Sequence, residues 1–153
     1  MKIKGLISED LVNYKKPSMT IIFPYCTFKC GEGYCQNSEL AKAPIIEMNV
    51  NNLGDRYINN PITEAVVMQG LEPFDSWNDL IEFVKQLRES TDDDIVIYTG
   101  YYKEEIIDKV EILRKYKNII IKYGRFLYND KPIFDDILGI TLASSNQYAE
   151  RIS

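Results

Sequence analysis

The sequence predicts one α/β domain, a partial (incomplete) βα barrel with a mostly parallel sheet, and three observations carry that reading. Five short β-branched runs are continuously apolar, as strands buried on both faces are. Amphipathic stretches with helical spacing lie between several of them, the alternation that a parallel sheet requires. The 153 residues, 45% of them hydrophobic, suffice for one sizeable core and are too few for a closed eight-stranded barrel. No repeat, low-complexity tract or linker interrupts the chain, so residues 1–153 read as a single domain.

In chain order, an entry segment "ISEDLVNY" leads into the first strand, "MTIIF" at 19–23. A weaker helix runs through "VNNLGDRYI", and "EAVVMQ" at 64–69 forms the second strand. In "SWNDLIEFVKQLRES", Trp77, Leu80, Ile81, Val84 and Leu87 make one apolar stripe, with Asp75 or Ser76 as the N-cap. "DIVIYT" at 94–99 is the third strand, followed by a helix whose stripe is Ile106, Ile107, Val110 and Leu113. "NIIIKY" at 118–123 and "GITLAS" at 139–144 complete the set. Parallel α/β sheets bind ligands at the carboxyl ends of their strands. Those ends carry residues 25–37, then "QGLEPF", "TGYY", "KYGRF" and "SSNQ".

Composition removes several functions. A net charge of −5 without a Lys/Arg cluster disfavours nucleic acid and anionic membrane surfaces. No apolar run is long enough to span a bilayer, and the first residues carry acids and lack an apolar signal core, so a cytoplasmic protein is expected. The absence of histidine excludes Ser-His-Asp and Cys-His catalysis and every imidazole-bound zinc site.

All three cysteines, Cys26, Cys30 and Cys35, fall within "YCTFKCGEGYC", directly after the first strand. In a cytoplasmic chain such clustering points to metal binding or reactivity rather than to disulfides. Three thiolates suit an iron–sulfur cluster or a zinc ion, and both close their shells with four protein ligands. Three cysteines leave one position open, where a substrate can bind. The alternatives are ordinary buried thiols, or zinc with a carboxylate such as Glu32 as fourth ligand.

Cys26-x3-Cys30, with Tyr34 immediately before Cys35, resembles the signature of the radical S-adenosylmethionine (SAM) superfamily. "QGLEPF" is similar to that family's Gly-Gly-Glu-Pro segment, while "IYTGY", "GRF" and "SSNQ" resemble the activating proteins of anaerobic ribonucleotide reductase. The resemblance implies a radical SAM-like fold and a [4Fe–4S] cluster on Cys26, Cys30 and Cys35, with SAM on the fourth iron. It implies reductive cleavage of SAM to a 5′-deoxyadenosyl radical and hydrogen abstraction from a glycine of a partner glycyl-radical enzyme. It also implies a low-potential electron donor of the flavodoxin or ferredoxin type. Other readings are a non-catalytic iron–sulfur or SAM-binding module, and a radical SAM enzyme acting on another peptide or small molecule. By the same resemblance Tyr34 lies near the adenine, and Gly70 and Glu72 hold the methionyl amino group. Four residues separate Cys30 from Cys35, where the family has two, and Gly31 and Gly33 would let "GEG" bulge and return Cys35 to the cluster. The motif also departs in reading Gly-Leu-Glu-Pro.

Four positions carry more than one reading each. Glu72 either holds a ligand amino group or caps the next helix. Thr99, with Gly100, either faces a ligand or ends its strand in a turn. Lys122 either pairs with a ligand carboxylate or snorkels from a sheet edge. Ser144 contacts ligand, partner or only a turn.

Overall fold

The computed structural model describes all residues from 1 to 153 except Glu32, Tyr34 and Gln36. Its centre is a six-stranded sheet. Four strands, β3 (Ser18–Phe23), β5 (Ala65–Gly70), β6 (Asp94–Tyr98) and β7 (Ile119–Tyr123), run parallel in that order. They coincide with the first four apolar runs. At the edges, β2 (Gly5–Asp10) pairs antiparallel with β3, and β10 (Tyr148–Arg151) pairs antiparallel with β7. Two short ladders complete the fold: β1 (Lys2–Ile3) with β4 (Ile46–Glu47), and β8 (Ile133–Asp135) with β9 (Ile140–Leu142). The result is a single α/β unit with an open, mostly parallel sheet, compatible with a partial radical SAM-like barrel.

Helices α1 (Val50–Ile58), α2 (Trp77–Arg88) and α3 (Ile107–Leu113) connect the parallel strands. Leu80, Phe83, Val84 and Leu87 of α2 are buried, as the stripe requires. Short 3₁₀ turns, Pro73–Ser76 and Lys103–Ile106, precede α2 and α3. Ser76 takes the N-cap position of α2 without a side-chain cap bond. Asp75 instead accepts from the Thr27 amide at 3.0 Å and the Tyr101 hydroxyl at 2.7 Å.

The fifth apolar run corrects the expectation. β9 is not a strand of the central sheet but one arm of an antiparallel hairpin. Gly139, at φ +70°, closes the preceding turn with its amide on the Asp135 carbonyl, and Thr141 is exposed while Leu142 is buried. Only one face of this strand is covered. Its alternation is too short to read from three residues.

Alternation along the parallel strands divides their side chains between two cores. Ile21, Val66, Met68, Ile97 and Ile121 face the helices. Val67, Val96 and Ile120 face the other way, onto Tyr14, Leu138 and Leu142. At the last rung of this second face the apolar pattern stops. The register places Ile22 opposite Gln69, and Tyr98 opposite Lys122. That change from apolar to polar, at the carboxyl ends of the strands, is where the cavity begins.

Candidate functional site

A cavity of about 390 Å³ opens at the carboxyl ends of β3, β5, β6 and β7, with Gln69, Tyr98 and Lys122 among its lining residues. The cysteine loop forms one wall, with Cys26, Cys30 and Cys35 all lining it. The turn after β7 and the β9 arm line it elsewhere through Gly124, Arg125 and Leu142. Such a volume lies at the lower end of the roughly 300–1,000 Å³ typical of small-molecule sites.

The cysteine loop is tied to the segment after β5. The Glu72 amide donates to the Tyr25 carbonyl at 2.7 Å, the Thr27 amide to Asp75, and the Asn37 side-chain amide to the Gly70 carbonyl at 2.9 Å. Within the loop Phe28 has φ +52° and Gly31 φ +88°, closed by the Gly31 amide on the Phe28 carbonyl. Gly31 therefore adopts the left-handed backbone expected of it; Glu32, the centre of the expected bulge, lies outside the described residues. The same holds for Tyr34, the residue placed near adenine.

All three cysteines are unpaired and half-buried. The Phe28 amide donates to the Cys26 sulfur at 3.2 Å, and the Asn37 amide to the Cys35 sulfur at 3.4 Å. Burial pushes the Cys26 thiol up to about 11, and the carboxylates of Glu72 and Asp75 add to it. Burial raises Cys30 as well, with Cys35 beside it contributing. Neither is the low-pKa thiolate that a redox-reactive cysteine needs. Among the described residues no three His, Cys, Asp or Glu side chains converge tightly enough for a single metal ion. Three half-buried thiols on one loop, with amides directed at two of the sulfurs, are a donor set that fits an iron–sulfur core.

The same cavity is lined by a buried carboxylate. Glu72 is 4% exposed. One of its oxygens accepts from the Thr99 hydroxyl at 2.8 Å and the Phe74 amide at 3.1 Å, the other from the Gly100 amide at 2.8 Å. Burial dominates these bonds and raises its pKa to about 7. Among the described residues no cation lies in ion-pair contact with it. Of the two sequence readings of Glu72, the structure shows the cap, since its bond to Phe74 caps the 3₁₀ turn at Pro73. Thr99 is likewise occupied: its hydroxyl bridges Glu72 and the Tyr101 amide.

Lys122 is 7% exposed and is not an edge residue, because β10 covers β7 on its outer side. Its ammonium donates to the Gly124 carbonyl at 3.2 Å and sits 5.8 Å from the centre of the Tyr98 ring. Burial lowers its pKa to about 8, an effect that attraction to Glu72 only partly offsets. An ammonium has three donors, so this cation retains capacity toward the cavity. Gly70, at φ +106°, lines the same space and is sterically required, because a Cβ there would meet the Ile22 Cγ2 at 2.6 Å and the Phe23 amide nitrogen at 2.9 Å. Ser144 does not line the cavity. Fully buried behind it, its hydroxyl accepts from the Leu127 amide and donates to Asn146.

Sequence reasoning did not single out Asn37, and it read Asp75 only as a helix cap and Arg125 only within the "GRF" resemblance. Asn37 and Asp75 act across 33 and 48 residues of sequence, and no local pattern marks those contacts.

A family model described as a 4Fe-4S single cluster domain matches residues 18–147. The chain belongs to the 4Fe-4S single cluster domain family. That match begins at the first residue of β3, encloses the cysteine loop, Glu72 and Lys122, and ends just before β10. The chain is therefore an iron–sulfur, radical SAM-like protein. No curated protein and no solved structure matches it. Among the described residues no helix is long and apolar enough to cross a membrane.

Proposed function

We propose that this protein is a radical SAM enzyme whose cysteine loop holds one [4Fe–4S] cluster and whose cavity holds SAM. The observation that carries the proposal is the presence, inside one cavity lined by three free thiols, of a buried carboxylate and a buried ammonium that attract each other without forming an ion-pair contact. An α-amino acid is zwitterionic and complements that arrangement. Glu72 accepts the ligand ammonium, and Lys122 donates to the ligand carboxylate. Thr99 and Gly100 act on the ligand through Glu72, orienting its two oxygens. Cys26, Cys30 and Cys35 hold three irons, and the absence of a fourth cysteine or of any histidine leaves one iron for the ligand.

When bound and reduced, the cluster supplies the electron that cleaves SAM to methionine and a 5′-deoxyadenosyl radical. The chain itself binds, orients and shields. The open, partial barrel leaves one side of the site uncovered, so the hydrogen donor enters from outside. This favours a glycine Cα–H on a partner protein, a glycyl-radical enzyme of the anaerobic ribonucleotide reductase type, over a second small molecule. A separate low-potential donor, a flavodoxin or ferredoxin, delivers the electron.

The test is anaerobic incubation of the reconstituted protein with SAM and dithionite, with 5′-deoxyadenosine measured by chromatography. Formation of 5′-deoxyadenosine supports the enzyme. A fully loaded cluster that yields none reassigns the chain to a non-catalytic iron–sulfur module.

A further inference from the structure

In the wall of the same cavity lies a set of charges outside the Glu72 and Lys122 contacts assigned above, Lys29 and Arg125 among its lining residues. Glu105 sits in the 3₁₀ turn after β6, with one carboxylate oxygen accepting from the Tyr102 amide at 2.8 Å. Its other oxygen faces two cations at once. Lys29, in the loop between Cys26 and Cys30, approaches to 3.5 Å, and Arg125, in the turn after β7, donates a short hydrogen bond.

Both cations are also seated on rings from the same segment. The Lys29 ammonium lies 4.6 Å above the Tyr101 ring, and the Arg125 guanidinium 4.9 Å above the Tyr102 ring. Each ring is fixed in turn. The Tyr101 hydroxyl donates to Asp75, and the Tyr102 hydroxyl accepts from Asn146, whose side-chain amide also bonds the Arg125 carbonyl. An isolated exposed ion pair is worth little, whereas a network with rigid partners is worth more.

We propose that Glu105 is the hub of an ionic clasp: by holding Lys29 and Arg125 together it locks the cysteine loop against the β6 and β7 ends and positions Cys30 for its iron. Lys29 directly precedes Cys30, so fixing its side chain restricts the backbone that carries the ligand. Glu105 is thus a positioning residue, and the clasp rests on the cysteine loop holding the cluster.

Glu105→Gln and Lys29→Met test it in the reconstituted protein. Both variants should release iron to a chelator roughly three- to tenfold faster than the parent, the range expected of coupled neighbours. The double variant should release it no faster than the faster single one. The midpoint potential supplies a second readout, because loosened packing alone changes the solvent exposure of the cluster and moves both variants in the same direction. Removing the Glu105 charge leaves more positive charge near the cluster and shifts the potential less negative, while removing Lys29 shifts it more negative.

Release at the parent rate, multiplicative effects in the double variant, or shifts of the same sign would each overturn the clasp. So would a matching fall in the urea midpoint of the cluster-free Glu105→Gln chain, which would assign Glu105 to general stability. If the parent takes up no cluster, the reading of the loop fails instead. Iodoacetamide labelling of Cys30 in the cluster-free chain then decides the clasp: faster labelling in Glu105→Gln supports it, and equal labelling overturns it.

Discussion

Replacing Glu72 by glutamine should produce a stability change whose size, and at its limit whose sign, depends on pH. Burial raises this carboxyl from the ordinary 4.5 to about 7, so ionising it in the folded chain costs about 3 kcal/mol. A folded-state pKa above the unfolded one means that the native chain binds more protons between these values. Its contribution to stability is therefore intact below pH 4.5 and lost as pH rises through 7. Glutamine is isosteric and cannot ionise, but it presents an NH₂ to a site built for acceptors, where Thr99, Phe74 and Gly100 all donate. One misdirected buried donor costs about 1–3 kcal/mol. At pH 5 the variant should therefore be less stable than the parent by about 1–3 kcal/mol. At pH 8 relief of the buried charge offsets that loss, and the gap should move by about 2–3 kcal/mol in favour of the variant. Urea unfolding of both cluster-free, reduced proteins at pH 5 and pH 8 measures the difference directly. Carboxylates with lowered pKa values, Asp10 and Asp94 among them, titrate in both proteins and cancel. A gap that does not change with pH would refute the reasoning, because it would mean that Glu72 is not held in a desolvating site.

Other expectations follow from the same geometry. Gly70→Ala should cost about 2–4 kcal/mol in urea unfolding, since φ +106° and a 2.9 Å approach to backbone leave no room for a methyl group. Lys122→Met should keep the fold and raise stability at pH 7 by up to about 3 kcal/mol, because burial lowers the ammonium from 10.5 to about 8. The parent, by contrast, should gain stability as pH rises from 8 to 10.5, where the unfolded chain binds the extra proton. The same variant should bind SAM at least about tenfold more weakly in a calorimetric titration, the loss expected of a charge-assisted contact. Cys35→Ala should fail to assemble the cluster on reconstitution, as measured by iron content; retained iron would mean that only Cys26 and Cys30 are ligands.

The four parallel strands were legible because each is covered on both faces and is therefore written in consecutive apolar residues. The helices were legible because Leu80, Val84 and Leu87 repeat at helical spacing. The antiparallel edges were not. In β2 the sequence "GLISED" mixes burial along the strand and ends in a buried Asp10 bonded to Thr20, so neither periodicity nor polarity marks it. The run at 139–144 misled for a related reason: three residues of a hairpin arm covered on one face have the composition of a core strand. At the site, the thiols and Glu72 were visible as motifs adjoining strand ends. Lys122 looked like an edge residue because nothing in "NIIIKY" reveals that β10 returns to cover it. Asn37 and Glu105 were invisible and Asp75 was legible only as a cap, since each takes a partner brought near only by the fold.

The account depends most on one iron being left open by the protein and taken by SAM. Electron paramagnetic resonance of the dithionite-reduced, reconstituted protein, recorded with and without SAM, tests this directly. A changed spectrum on adding SAM is the predicted result, and the change should be lost in Lys122→Met at the same SAM concentration. An unchanged spectrum from a fully loaded, reduced cluster would contradict the claim.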